Sequence, residues 1–570
     1  MKIHDLVAAG DIAGVEREIG RLASLEARDE SGLTPLMVAT ASPKAGVEML
    51  ELLLSRGADV QALMKATQEK PAVQSVLSIA AKSASLEKIK LLVAAGADVR
   101  FVDSNGYGIL LNALYGSYTQ PESERLPRIR LLVDAGAPLD AASSYGESAV
   151  RHASMSGEFE LVRFLLDRGA DAGPLGWAPL FHAVAFGSAE EVAKLLDEGA
   201  DLEQTDAWER TPFLLSVHAG RLDIAKLLLA HGCDRNAKGR CGTTAILLAI
   251  SRDNAAMLEW LIAIGCDIEE TDEFGGFPLE EAAREGSVAC VRVLLNAGAV
   301  ASRKNKNDFS AIEGAASPEN VALLVSAGEN LSDVSPAMRM RLIGYPPDDD
   351  VDVSANDFRK YRGRTFGKQN PQRMNNPFWD AMVRTRESAY GGASKFESRD
   401  FDGGPVWCFN RFGQSLTRLP DGRYVEIAGE HEDHYDPDFC IYNDVVVHHG
   451  DGTFDIFGYP EADFPTTDFH SATWVAPNIY IIGNLGYPHQ RRAGETPVYR
   501  LHCETWKIDQ VPTSGEKPGW IHSHKAQLID GNRIRISGGK IDNSAENGLL
   551  DNTQNYILNL ASKIWEREVS

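Results

Sequence analysis

Apolar residues recur along the first 335 residues in a phrase that is typical of the end of an amphipathic helix. Each phrase has a pair of leucines or similar residues, then a glycine, and often Ala-Asp after it, as in LLVAAGADV at 91–99. The glycine can adopt the left-handed conformation that ends a helix. The nine glycines are Gly57, Gly96, Gly136, Gly169, Gly199, Gly232, Gly265, Gly298 and Gly328, at intervals of 39, 40, 33, 30, 33, 33, 33 and 30 residues. The pattern therefore predicts helical repeats with a period near 33 residues.

A second helix begins within each repeat, about ten residues after the glycine. Examples are GLTPLMVAT (32–40), GWAPLFHAVAFG (176–187) and RTPFLLSVHAG (210–220). Thr34 and Thr211 are suited to cap such a helix. Pro35, Pro179 and Pro212 fall in its first turn, where the missing N–H costs no hydrogen bond. A single helix pair cannot bury its apolar face, so the repeats are expected to stack into a solenoid.

These repeats resemble the ankyrin repeat family, whose pattern includes a Thr-Pro-Leu-His helix start and a Gly-Ala-Asp helix end. The resemblance covers about residues 1–335, with about nine repeats and an N-terminal cap. The two longer intervals place insertions near residues 66–76 and 116–126. The last unit, 307–331, is shortened and polar, as suits a terminal cap. The resemblance implies a partner protein bound by the turns and the concave helices.

Large aromatic residues occupy the turns that precede several of these helices. They are Tyr107, Tyr145, Trp177, Trp208 and Phe274. Aromatic anchors dominate the binding energy of protein interfaces, so one hypothesis is a partner-binding stripe along the turns. The alternative is that each side chain packs on the adjacent turn. The sequence leaves both interpretations open.

Residues 336–405 lack the repeat period and are predicted to form a linker or strap with a docking helix. The segment YPPDDDVDV (345–353) marks a boundary by its proline pair and acidic run. A basic stretch with interleaved aromatics follows at 358–374. This composition suits nucleic-acid binding as well as a strap, but the acidity of the whole chain favours the strap. Residues 376–390 carry apolar positions at helical spacing and predict the docking helix.

From residue 411 onward the pattern changes to short strands separated by turns. Three copies of a longer unit begin at QSLTRL (414–419), HSATWV (470–475) and HKAQLI (524–529), at intervals of 56 and 54 residues. Each copy continues through three further strands, and an aromatic residue stands at an equivalent place in the fourth: Phe454, Trp506 and Trp565. His470 and His524 open two of the copies, so we expect them to make recurring structural hydrogen bonds.

This region, about 406–570, resembles the kelch repeat, which forms one blade of a β-propeller. Only Gly538-Gly539 keeps the glycine doublet of that family. Propellers close with about four to eight blades, whereas the sequence contains three copies and one additional predicted strand at 406–409. Either a further blade lies in the linker, or the array is open and the strap, the docking helix or a second chain covers its edges.

The predicted fold class is thus an α + β multidomain protein. An ankyrin-type α-solenoid is followed by an all-β, kelch-like domain that forms a partial or irregular β-propeller.

Composition and charge narrow the classes of function. The 570 residues include 57 Lys and Arg against 81 Asp and Glu, a net charge of −24. This acidity argues against non-specific binding to nucleic acid or an anionic membrane, and it favours a partner protein with a basic surface. The N-terminus predicts no signal peptide and no window predicts a membrane span. Seven cysteines without a CxxC pair fit free thiols, so a cytoplasmic location is expected.

One loop concentrates reactive side chains. HEDHYDPDFC (431–440) offers His431, His434, Asp436 and Asp438 as candidate metal ligands. Its spacing matches neither the helical histidine pair of zinc proteases nor an EF-hand, so a polar loop ordered by its own hydrogen bonds is favoured. The sequence has no recognisable nucleophile elbow, phosphate-binding loop or dinucleotide fingerprint. We therefore expect neither catalysis nor a cofactor.

The sequence as a whole predicts a protein–protein interaction scaffold that acts by stoichiometric binding. Its acidity suits an inhibitor or immunity-type protein for a basic partner. The rival hypothesis is a metal-dependent enzyme or a ligand-binding, propeller-like domain that uses the loop at 431–438. In that case the solenoid would be a targeting arm.

Overall fold

The computed structural model of the chain describes residues 3–21, 24–65, 73–116, 122–344, 353–396, 405–431, 439–543 and 548–568. The chain divides into two compact units, Met1–Phe274 and Gly275–Ser570. This division falls inside the repeat array, so the last repeats belong to the second unit. The domain bounds near 335 and 405 stay a prediction. None of the described helices is long and apolar enough to cross a membrane.

The first unit is built from pairs of short helices. They are α1 (Ile3–Ala9), α2 (Ile12–Ile19), α3 (Pro35–Ala41), α4 (Val47–Ser55), α5 (Val76–Ser83), α6 (Leu86–Ala94), α7 (Ile109–Tyr115), α8 (Glu122–Asp134), α9 (Ala149–Met155), α10 (Phe159–Asp167), α11 (Pro179–Phe186), α12 (Ala189–Asp197), α13 (Pro212–His218), α14 (Leu222–Ala230), α15 (Ala245–Ser251) and α16 (Ala255–Ala263). First helices pack on first helices, as α3 does on α5, and second helices on second helices, as α4 does on α6. This is the stacking of neighbours that defines a solenoid.

The helix ends follow the predicted glycine signal. All nine repeat glycines have φ between 85° and 102°, in the left-handed region. The N–H after each glycine donates to the carbonyl five residues earlier, as Ala58 N does to Leu53 O at 3.0 Å, which is the bond of a Schellman motif. At Gly57 and Gly96 no atom lies within 4 Å of the position that a Cβ would take. The backbone conformation, and not crowding, therefore requires glycine there.

The helix starts follow the predicted caps. Thr34 Oγ1 accepts a hydrogen bond from Met37 N at 3.3 Å, and Thr211 Oγ1 accepts one from Leu214 N at 3.3 Å. Proline occupies the first turn after both caps. The leucine four residues before the glycine is fully buried in eight of the nine repeats: Leu53, Leu92, Leu132, Leu165, Leu228, Leu261, Leu294 and Leu324. Each of these repeats thus contributes the same side chain to the core.

The second unit begins with the end of the repeat array and continues with the linker helices. Its described helices are α17 (Pro278–Arg284), α18 (Val288–Asn296), α19 (Pro318–Ser326), α20 (Pro336–Ile343), α21 (Ala355–Tyr361), α22 (Pro377–Thr385) and α23 (Ala389–Ser394). The side chain of Asn376 caps α22 by accepting from the amides of Phe378 and Trp379. The apolar positions predicted for the docking helix are buried on α22.

The rest of the second unit is β-structure. The strands are β1 (Gln372–Arg373), β2 (Ser415–Arg418), β3 (Tyr424–Ile427), β4 (Val445–His448), β5 (Phe454–Gly458), β6 (Ser471–Val475), β7 (Asn478–Ile482), β8 (Val498–His502), β9 (Ile508–Gln510), β10 (Ser514–Gly515), β11 (Ile521–His522), β12 (Lys525–Asp530), β13 (Arg533–Ser537), β14 (Lys540–Asn543), β15 (Gly548–Asp551), β16 (Tyr556–Asn559) and β17 (Ile564–Arg567).

Three antiparallel groups of four strands correspond to the three predicted copies. They are β2–β5, β6–β9, and the set β12, β13, β16 and β17. Strand β1 adds an edge to the first sheet, β10 adds one to the third, and β11, β14 and β15 form a small separate sheet. The opening strands of the copies adjoin, because β2 contacts β6 and β6 contacts β12. Within the described residues, the sheets form no closed barrel or propeller.

The predicted additional strand at 406–409 is not a strand. Val406 makes one isolated bridge with Gly363, and the residues after it enter the core. The indole of Trp407 stacks on Trp379 with ring centroids 4.5 Å apart, and its Nε1 donates to Asp444 Oδ2 at 2.8 Å. The apolar run therefore reflects burial among α22 and strands of the first sheet, and not strand pairing.

The first sheet is covered on both faces, which explains why every residue of β3 and β4 is buried. Val425 and Val445 pack in one cluster with Ile479 of the second sheet. Val446 and Ile456 pack in another cluster with the apolar residues of α22. The docking helix therefore closes one face of the sheet.

The basic stretch lies along this β-structure. Strand β1 pairs with β5, and Arg373 forms an ion pair with Asp455. The Asn370 side chain donates to Ile508 O at 2.8 Å and accepts from Ile508 N at 3.0 Å. Through these contacts, the basic stretch is attached to β5 and to the start of β9, as expected of a strap.

Candidate protein-binding surface

In the first unit, main-chain hydrogen bonds join the turn near residue 105 to that near 144, and the turns near 175, 208, 241 and 273 in succession. The amides of Ser144, Ala207, Arg240 and Glu273 donate to the carbonyls of Asn105, Leu175, Trp208 and Cys241, at N···O distances between 2.8 and 3.0 Å. The predicted aromatic residues lie on these turns. We call this surface the turn row.

Tyr107 packs on the next turn, as the packing alternative requires. Its ring is half-buried and lies edge-on to Tyr115 at a centroid distance of 5.8 Å. The Tyr107 hydroxyl donates to Glu147 Oε2 at 3.0 Å, and the Tyr115 hydroxyl donates to Glu147 Oε1 at 2.6 Å. The hydrogen bond from Tyr115 is the main cause that lowers the pKa of Glu147.

Trp177 also packs within the array. Its half-buried indole stacks on Phe159 at a centroid distance of 6.5 Å and meets His182 edge-on at 5.2 Å. Its Nε1 donates to Asp206 Oδ2 on the next turn at 3.4 Å.

Trp208 packs against two charged side chains. The guanidinium carbons of Arg151 and Arg240 lie over its ring, 5.2 and 5.6 Å from the centroid. These distances are within the range of cation–π attraction.

Tyr145 and Phe274 differ from the other three, because their side chains project from the row. Tyr145 is 78% exposed and Phe274 is 63% exposed. The structure therefore separates the five predicted aromatics into three that pack and two that face outward.

Beneath the row lies a buried polar network that the sequence did not reveal. Arg210 donates from Nε and Nη2 to Asp206 Oδ2, at 2.9 and 2.6 Å. It also donates to the main-chain oxygen and hydroxyl of Ser154, at 2.8 and 2.7 Å. Its Nη1 lies 2.8 Å from His218 Nδ1, and because arginine only donates, this nitrogen is the acceptor. Burial, Arg210 and Arg252 lower the pKa of His218 well below its usual value, so the imidazole is neutral.

The second unit has an ion cluster centred on Glu426. The carboxylate is fully buried and accepts from Arg339 Nη1 at 3.1 Å and from Arg386 at 3.0 and 2.5 Å. His448 Nε2 lies 2.7 Å from Oε2, the oxygen that also accepts from Arg386 Nη2. Burial alone would raise the pKa of Glu426, but Arg386, His448 and Arg339 hold it well below its usual value.

Only part of the candidate metal loop lies in the described chain. His431 is buried, with Nδ1 3.5 Å from Cys408 Sγ. His434, Asp436 and Asp438 lie outside the described residues. Where the structure describes the chain, no group of three or more His, Cys, Asp or Glu side chains could hold a metal ion. All seven cysteines are free thiols.

A cleft of about 1070 Å³ opens where the three repeated sheets begin. Gln414, His470 and His524 line it at equivalent positions. His470 Nε2 lies 2.8 Å from Ser415 Oγ, and His524 Nε2 lies 2.9 Å from Ser471 Oγ. Burial lowers the pKa of both histidines to about 3. They are therefore neutral and make the recurring hydrogen bonds between sheets that their repeat position predicts.

Glu430 and Asp468 form a carboxyl pair in the same unit. Burial and the charge of Asp468 raise the pKa of Glu430 to about 8, and burial raises that of Asp468. Asp468 Oδ1 accepts from Gly486 N at 2.6 Å. At neutral pH the pair therefore holds one proton.

Replacing Glu430 by glutamine is expected to remove a pH dependence of stability. The folded pKa lies above the ordinary value of 4.5, so the stabilisation is complete below that value and is lost as pH rises through about 8. Glutamine does not titrate, so Glu430→Gln should stay more stable than the wild type at alkaline pH. Urea unfolding between about pH 6 and pH 9 measures this. The exposed Glu461→Gln is the control, and an unchanged pH slope in Glu430→Gln would contradict the shared proton.

Comparison with known proteins identifies the helical region. The ankyrin repeat pattern matches residues 31–65, and a pattern of three ankyrin repeat copies matches 77–175, 180–272, 218–308 and 246–334. The chain is 28% identical over 186 residues to Ankyrin repeat protein nuc-2 of Neurospora crassa. That alignment covers 32% of this chain and only 17% of the relative's length. From residue 31 to residue 334, this chain therefore belongs to the ankyrin repeat family.

Proposed function

We propose that this protein is a non-enzymatic scaffold that binds a partner protein through the turn row and the concave helices of its ankyrin repeats. The observation that carries the proposal is the pair of outward-facing aromatics, Tyr145 and Phe274, on turns of the array. Exposed aromatic side chains on a rigid surface are typical anchors of a protein interface. Membership of the ankyrin repeat family supports a protein-interaction role in general.

The chemistry of the partner follows from charge. A net charge of −24 favours association with a basic protein, since complementary potentials steer encounter and raise the association rate. Stoichiometric binding of this kind would suit an inhibitor or immunity-type protein.

The β-structure of the second unit is proposed to be a kelch-like domain. Three groups of four antiparallel strands, whose opening strands adjoin, support this assignment. So do the buried tryptophans of two copies, Trp506 just before β9 and Trp565 within β17. In this proposal the domain is a second recognition module.

Replacing Tyr145 and Phe274 together by alanine is expected to abolish or strongly reduce capture of the partner, by roughly tenfold or more, because two interface anchors are lost. Both side chains are exposed, so the free energy of unfolding should change by less than about 0.5 kcal/mol. Affinity capture from cell extract with quantitative mass spectrometry measures the loss.

The control is Tyr390→Ala, which removes an aromatic side chain that is 70% exposed in the second unit. It should leave capture unchanged. If the double variant recovers the same proteins in the same amounts as the wild type, the turn row is not the interface.

A further inference from the structure

Two arginines at the turn row, Arg151 on α9 and Arg240 on a turn, have no ionic partner among the described residues. Among the described residues, neither Arg151 nor Arg240 forms an ion pair, although both lie over the ring of Trp208. Arg151 Nη1 donates to Gly146 O at 3.0 Å, which satisfies one of its donors. Arg240 is exposed and Arg151 is half-buried.

The same unit contains a second stack of this kind, and its arginines are paired. Arg130 and Arg168 lie 5.3 and 4.8 Å from the ring centroid of Phe164. Arg130 forms an ion pair with Glu160 at 3.8 Å, and Arg168 forms one with Asp134 at 2.5 Å. Both arginines over the Phe164 ring are therefore paired with carboxylates. Among the described residues, neither arginine over the Trp208 ring is paired in this way.

The acidic composition of the chain makes the lack of a carboxylate at the Trp208 stack unexpected. With 81 acidic residues against 57 basic ones, carboxylates are in excess over cations. Arginine presents planar N–H groups that match a carboxylate, and stacking on an indole orients them at little entropic cost. A pair of oriented guanidiniums with no ion pair among the described residues, on an array whose turns also carry two exposed aromatics, is therefore suited to an external carboxylate.

We infer that Arg151, Trp208 and Arg240 form a carboxylate-binding site that takes an acidic segment of the partner protein. This inference rests on the proposed function, and it refines it: a partner with a basic surface overall would place an aspartate or glutamate on this stack. Two charge-assisted hydrogen-bonding groups would then fix the register of the partner along the turn row.

The test uses a defined probe and the full-length protein. The probe is a dye-labelled Gly-Ser peptide with four consecutive glutamates, and its reference has glutamine in their place. Fluorescence anisotropy at about 150 mM salt measures binding, so that long-range repulsion by the acidic chain is screened. The wild type should bind the glutamate peptide and not the glutamine peptide.

The decisive variant is Arg151→Gln with Arg240→Gln, and the matched control is Arg130→Gln with Arg168→Gln. Both change the net charge equally and both remove two cations from an aromatic ring. We expect the affinity for the glutamate peptide to fall at least about tenfold in the first pair and to stay within about twofold in the control. If the first pair fails to fold, Arg151→Lys with Arg240→Lys keeps the charge, removes the planar fork and should lose affinity about threefold or more.

Several results would overturn the inference. Equal losses in the two pairs would mean that only net charge matters, and no loss in either would place the acidic contact elsewhere. If a phosphoserine peptide or a single-stranded oligonucleotide binds more tightly through the same two arginines, the ligand group of this site is phosphate and not carboxylate. The two proposals can be told apart. If the Tyr145 and Phe274 variant loses partner capture while the arginine variant binds the peptide unchanged, the carboxylate site is refuted and the proposed function is supported.

Discussion

Replacing Glu426 by glutamine is expected to lower the free energy of unfolding of the second unit by about 3–5 kcal/mol. The change leaves Arg339 and Arg386 beside each other without the carboxylate that forms an ion pair with both. Their side chains are only 13% and 14% exposed. Desolvated cations that lose their counter-charge are among the most costly defects in a protein interior. Hydrogen exchange of β3 and β4, together with urea unfolding of the full-length protein, measures the loss.

The pH dependence gives an independent check on this cluster. The folded pKa of Glu426 is depressed, so its stabilisation is present above the ordinary pKa and is lost as pH falls through the folded value. Acid should therefore destabilise the wild-type unit and affect Glu426→Gln less. The control is Asp509→Asn, which removes an exposed carboxylate beside Arg500 and His502 and should cost less than about 1 kcal/mol. A loss in Glu426→Gln no larger than in this control would refute the role of the cluster.

Replacing Arg210 by methionine is expected to destabilise the middle of the ankyrin array by about 3–5 kcal/mol. Asp206, whose side chain is 0% exposed, would keep its charge without a counter-ion. The main-chain oxygen and the hydroxyl of Ser154 and the ring of His218 would also lose a hydrogen bond. Hydrogen exchange should rise in α9 and α13, the two helices that Arg210 connects.

A second substitution separates the charge from the hydrogen bonds. Asp206→Asn added to Arg210→Met removes the unpaired charge, while the side-chain amide oxygen at position 206 still accepts from the main-chain N–H groups of residues 208 and 210. About half of the lost stability should return. Arg168→Met, at an exposed ion pair, should cost less than about 1 kcal/mol. If the double variant is no more stable than Arg210→Met, the buried charge is not the cause of the loss.

Much of the fold could be predicted from the sequence because its determinants lie close together in the chain. After a left-handed glycine, the next N–H donates to a carbonyl only five residues earlier, and the Thr34 hydroxyl accepts from an amide only three residues later. The strands of each β copy pair across short turns, so their alternation is visible in sequence. The prediction of a strand at 406–409 was wrong, because a short apolar run fits a strand and a buried connection equally well.

The candidate site was predictable in position and not in orientation. The sequence located all five aromatics on turns, but Tyr107 and Trp177 pack because Glu147 and Asp206 of the next turn accept their hydrogen bonds. Tyr145 and Phe274 project outward. Which outcome applies depends on the neighbouring repeat, and its side chains are about 30 to 40 residues away in the chain.

The sequence by itself determined the repeats of this protein: the helix ends, the caps, the buried leucines and the three β copies. Only the tertiary structure decided which charges are paired. Glu426 meets arginines that are 87 and 40 residues distant, and Arg210 meets Ser154 across 56 residues. A charged residue has the same appearance in sequence whether water or a counter-ion surrounds it. Stacking of the repeats and sheets excludes the water around Glu426 and Arg210, and this exclusion makes their ion pairs structural. Arg151 and Arg240, in contrast, form no ion pair with any described residue.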